Sequence, residues 1–95
     1  MKFKIITVYD EKAEAFLRPI FHQTSAMAVR EFQELVNDRN HQFGKFPQDY
    51  TLFELGEWSD RDAEFDLVQK KSLGNGVEFI NVEVGTDNLF NGENS

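Results

Sequence analysis

Two hydrophobic periods divide the chain. Lys2–Tyr9 (KFKIITVY) is rich in β-branched and aromatic residues, with Phe3 and Ile5 on one alternating set and Ile6 and Val8 on the other. Apolar residues on both sets predict a strand that is central or covered on both faces. Over Thr24–Val36 the period becomes helical: Ala28, Val29, Phe32, Leu35 and Val36 recur as one stripe centred on Phe32. Thr24 or Ser25 supplies the N-cap and Asn37–Asp38 ends the helix. The opposite surface holds Arg30, Glu31, Gln33 and Glu34, with Arg30 and Glu34 one turn apart as a weak ion pair. Tyr50–Trp58 (YTLFELGEW) and Ala63–Lys70 (AEFDLVQK) return to a period of two and predict an antiparallel hairpin turning through the acidic Ser59–Asp62. Thr51, Phe53 and Leu55 share one face of the first strand, and Tyr50, Leu52 and Glu54 the other. In the second strand Phe65 and Leu67 point inward. Gly56 predicts a bulge or a close backbone approach.

The intervening stretches carry weaker patterns. Asp10 can cap one or two helical turns over Glu11–Leu17, which Pro19 stops, after which Ile20 and Phe21 return to the core. Arg39–Asp49 (RNHQFGKFPQD), punctuated by Gly44 and Pro47, is a loop, and Lys71–Gly76 (KSLGNG) is a turn. Val77–Val84 (VEFINVEV) can form a last strand, facing inward with either Val77 and Phe79 or Ile80, Val82 and Val84. Gly85–Ser95 is polar, Asn- and Gly-rich, and reads as a disordered tail. The expected fold class is α+β: residues 1–84 form a single domain, a small antiparallel sheet of about three to four strands near 2–9, 50–57, 64–70 and 77–84, with the main helix across one face.

Composition narrows the function classes. Ninety-five residues, 40% of them hydrophobic and ten of them Phe, suffice for one packed core. The absence of Cys removes disulfides and thiolate metal sites. The early lysines precede only a short apolar run, Ile5–Val8, so the N-terminus does not read as a signal peptide, and no stretch is long enough to span a bilayer. The net charge of −7 is unevenly spread: residues 1–30 carry five basic and three acidic groups, 31–62 three and eight, and 63–95 two and six. Nucleic-acid affinity rests largely on phosphate neutralisation, so this acidity counts against a nucleic-acid binder unless basic groups gather locally.

The candidate chemistry lies in the more basic part of the chain. Arg39, His41, Phe43, Lys45 and Phe46 fall within eight positions, the mixture that binds single-stranded nucleic acid by stacking rings on bases while cations track phosphates. The alternative reading makes Phe43 and Phe46 anchors that pin a long loop to the core. Lys2, Lys4, Arg18 and Arg30 add possible phosphate contacts, or are solvated surface groups. His41 has no nucleophile or carboxylate paired with it by a recognised motif. Glu54, Glu57, Asp60, Asp62, Glu64 and Asp66 lack the order of an EF-hand loop and read as a solvated acidic edge. No metal, cofactor or enzymatic activity is expected.

The run VYDEKAEAFLRPIF, then T…A…R.F…VND, then HQF.K.P.DYTLFELGE, resembles the small nonstructural protein of gokushovirus-type microviruses, tailless phages with single-stranded DNA genomes. The resemblance covers about Lys2 to Leu73 and is most specific from His41 to Glu57. It implies a DNA-binding, nonstructural protein of the host cytoplasm, without defined catalytic residues, acting where replication switches from double-stranded intermediates to single-stranded progeny. The acidic second half and the Asn-rich stretch from Gly76 to Ser95 depart from the family pattern. Two expectations follow. The first is a non-enzymatic protein binding DNA, single-stranded by preference, through Lys2, Lys4, Arg18, Arg30, Arg39 and Lys45 on phosphate and Phe43, Phe46 and His41 on bases. The second is an acidic module that binds or decoys a replication protein through Glu54–Asp66. Exposed sheet edges also predict a homodimer.

Overall fold

The structure, a computed structural model, describes residues 1–81. Its elements run β1 (Lys2–Asp10), β2 (Ala15–Phe16), β3 (Ile20–His22), α1 (Ser25–Val36), α2 (Gln42–Lys45), β4 (Tyr50–Ser59) and β5 (Phe65–Asn75), with 3-10 turns at Pro47–Asp49 and Gly76–Phe79. The α+β class holds: a five-stranded antiparallel sheet in the order β2-β1-β4-β5, with β3 also paired to β1, carries α1 across one face.

α1 forms as its stripe predicts. The Thr24 side chain accepts the Met27 N–H at 3.1 Å, and Ala28, Phe32 and Val36 are buried. They close on Ile6 and Val8 of β1 and Tyr50 and Leu52 of β4. Ser25 donates its hydroxyl to Glu54 at 2.6 Å and so ties the helix start to β4. At the other end Asn37 caps the helix, donates to the Phe79 carbonyl at 2.9 Å and accepts the Asn81 N–H at 2.8 Å. These bonds hold the chain beyond β5 against α1 and place Phe79 edge-on to Phe32, ring centroids 5.7 Å apart.

Several expectations are corrected. Residues 11–17 are not helical. Asp10 accepts the N–H groups of Lys12 and Ala13, Glu14 adopts a left-handed φ of 56°, and the chain folds back as β2. A seven-residue helix is too short to hold against strand pairing with β1. The returning strand is then interrupted at Arg18–Pro19, where proline cannot donate to the ladder. Thr7 bridges that break by donating to the Leu17 carbonyl at 2.6 Å. Ile20 and Phe21 pair with β1 but stay about half exposed, at 50% and 49%.

The loop at residues 39–49 contains α2, and His41 caps it by accepting the Phe43 N–H at its Nδ1. β5 runs through the expected turn to Asn75. The expected strand at Val77–Val84 begins instead as the 3-10 turn Gly76–Phe79, closed by a reciprocal Asn75–Glu78 capping box; its residues 82–84, and the tail 85–95, lie outside the described residues. Phe65 and Leu67 do not point inward: they are 60% and 66% exposed.

The β4 alternation over Tyr50–Glu54 is as expected, and Gly56 marks both a bulge and a close approach. The register shifts there on both sides, its φ is 144°, and a Cβ would strike the Asp66 carbonyl.

Candidate functional site

Among the described residues, only one face of the sheet has a helix over it. Register places Phe3, Ile5, Thr7 and Tyr9 of β1 on the other face, beside Trp58, Gly56, Phe53 and Thr51 of β4, with Phe16 of β2 next to Tyr9 and Phe21 of β3 next to Ile5. The result is an aromatic surface in two groups. Phe3 and Phe21 flank Trp58, with ring centroids 6.0 and 5.5 Å away. Tyr9 and Phe53 flank Phe16 at 4.7 and 5.6 Å. All are tilted or edge-on pairs, worth roughly 0.5–1.5 kcal/mol each beyond their buried area, so the rings hold one another in place. Beneath and between them Ile5 and Thr7 are buried at 4% exposure, while Phe16 and Phe21 keep 44% and 49% of their surface.

The charges of this face differ from those of the chain. Lys70 lies over the Phe16 ring, 5.9 Å from its centroid. Of the positions that register assigns to this face, none is a carboxylate. Glu54, Glu57 and Asp66 alternate to the helix side, where Lys4 meets Glu57 at 2.9 Å and Glu54 at 3.5 Å. The hydrogen bond from Lys4 holds the Glu57 carboxyl below the usual carboxylate range, and in return the Lys4 ammonium is raised.

The residues singled out from the sequence fall elsewhere and apart. Lys4 is ion-paired with Glu54 and Glu57 on the helix side of the sheet, behind the aromatic face. Lys2 lines an open hollow at the far end of the β4–β5 hairpin together with Glu57, Arg61, Asp62 and Glu64. Arg18 stands at the mouth of an apolar cleft of about 180 Å3 between β3 and α1, near His22, whose Nε2 lies 2.9 Å from Glu31. Arg30 is on the solvent side of α1, 4.0 Å from Glu34. Arg39 borders a hollow with Asn37, Gly44 and Pro47, and Lys45 and Phe46 are exposed on the loop that follows. Phe43 is core: it is 6% exposed and sits between Phe32 and Tyr50 at centroid distances of 5.5 and 4.5 Å. That burial withdraws its ring from stacking on a base. The His41 ring is spent on its cap and on an edge contact with Phe43 at 4.6 Å.

Sequence reasoning missed the aromatic face because its members are scattered from Phe3 to Trp58. One signal was present. β1 is apolar on both alternating sets, and one amphipathic helix covers only one of them.

A family model described as Phage ORF5 protein matches residues 3–79. The chain belongs to that family. No curated protein and no solved structure matches it. The matched span of this phage protein contains both groups of rings on the open face and the helix-side core behind them. Among the described residues, no group of three or more His, Cys, Asp or Glu is arranged to hold a metal ion, and no helix is long and apolar enough to cross a membrane.

Proposed function

We propose that this phage protein is a non-enzymatic binder of single-stranded DNA, serving progeny-strand synthesis in a microvirus-type infection, and that it holds the strand on the open face of its sheet. The observation that carries the reading is a surface of tilted aromatic rings, two of them about half exposed, from which carboxylates are excluded by strand alternation. Unpaired bases present π faces to such rings, each stack contributing roughly 1–3 kcal/mol, whereas bases inside a duplex are stacked on one another. The net charge of −7 opposes DNA binding only where carboxylates face the strand, and those of the described strands alternate to the helix side.

Fluorescence anisotropy with single- and double-stranded oligonucleotides across a salt series tests the proposal, with Trp58 emission as an internal reporter. The expected outcome is preference for single strands, quenching of Trp58, and a shallow salt slope of about −0.7 to −1.4, equivalent to one or two phosphates. Phe16→Ala and Phe21→Ala should each weaken binding by roughly 1–3 kcal/mol, while Phe46→Ala and Arg39→Ala leave it unchanged. No binding at low salt, or binding indifferent to the two face variants, sinks the proposal.

A further inference from the structure

β5 ends the sheet. It is eleven residues long, contains no proline, shifts register against β4 at two points and, among the described residues, pairs on one side only, with β4. From Phe65 to Ser72 every residue is exposed, including the apolar Phe65, Leu67 and Val68 at 57–66%. Such an edge presents a row of backbone donors and acceptors able to accept another strand. Its charges are ordered: Glu64 and Asp66 precede Val68, and Lys70 and Lys71 follow it. An antiparallel copy of the same strand, related by a two-fold axis near Val68, sets each acidic end beside a basic end. A parallel copy sets acid beside acid and lysine beside lysine.

We infer that the β5 edge is a self-complementary interface, on which a second copy of this chain pairs antiparallel to give one continuous sheet across two subunits. The charge pattern reverses sign about Val68, so a second antiparallel copy satisfies it twice over, as an isologous contact requires. Because Phe65 pairs with Trp58 and lies on the aromatic face, the junction joins the two aromatic faces into one surface. Only that last consequence rests on the proposed DNA binding. The pairing itself is tested without DNA.

Sedimentation equilibrium of the full chain over a wide concentration series reads the mass directly. The expected result is a concentration-dependent approach to twice the chain mass of 11.1 kDa. Asp66→Lys alone, and Lys70→Glu with Lys71→Glu, should each weaken self-association at least about tenfold, since symmetry repeats every altered pair. Mixed together, these two variants regain complementary charges and should form the heterodimer. That recovery also shows that neither has failed to fold. A single mass of 11.1 kDa at every concentration overturns the inference, as it would if the chain's own residues 82–95 occupied the edge. So does a dimer that neither variant weakens, or variants that do not recover on mixing. Failure of the oligonucleotide titration with the dimer intact would instead count against the proposed function.

Discussion

Tyr50 shows how closely single residues are tied to the core. It is 6% exposed between the loop and the sheet, and burial, followed by the charges of Asp10 and Asp49, holds its phenol above the ordinary 10.0. Above that ordinary value the unfolded chain releases the proton while the folded chain keeps it, so stability is full below it and falls as pH rises through the interval. Tyr50→Phe should remove this part of the alkaline loss, which urea midpoints at neutral and alkaline pH would show as a flatter profile. The two loop phenylalanines divide in the same way. Phe43→Ala opens a cavity under Phe32 and Tyr50 and should cost roughly 3–5 kcal/mol by urea denaturation, whereas Phe46→Ala, at a residue 51% exposed, should cost well under about 1 kcal/mol.

At the scale of elements, β4 depends on a glycine. Gly56 combines a φ of 144° with backbone contact to Asp66, so Gly56→Ala should destabilise the hairpin by more than about 1 kcal/mol, read as a lowered denaturation midpoint with an unchanged slope. Gly56, the α1 stripe and the β4 alternation were legible in the sequence because each is a local rule with one solution. The stretch around Pro19 was not. Glu11–Leu17 has good helix formers, but a two-residue pairing with β1 and an Asp10-capped turn outweigh propensity over so short a span. β5 misled for a different reason. Its period of two is real, but alternation shows which residues share a face, and not whether anything covers that face. The candidate site was hidden by the same limit. Lys4 looked available until β4 brought Glu54 and Glu57 across from it, and Phe16 and Phe21 became neighbours of Tyr9 and Trp58 only through register.

For the molecule as a whole, the sheet sorts chemistry by side. Its helix side takes the main core, with Phe32, Phe43 and Tyr50 among its aliphatic residues, and the Lys4–Glu57 charges, and its open side takes the two groups of rings around Trp58 and Phe16. An acidic protein can in this way present a surface governed by aromatic contact, with Lys70 as the cation that register and packing bring to it. Added salt should therefore weaken the proposed binding of oligonucleotides far less than it does for proteins whose affinity comes from many phosphate contacts.

The break at Arg18–Pro19 bears on how large an assembly can become. One margin of the sheet is split into pieces of two and three residues with a proline between them, and the other is a single strand of eleven residues that shifts register against β4 at two points. Strand addition is therefore open at one margin and obstructed at the other, so the inferred β5 pairing would close at two copies and would not continue into a filament. Pro19→Thr, which restores a backbone donor on the obstructed margin, should convert that finite assembly into larger, concentration-dependent species detectable by light scattering.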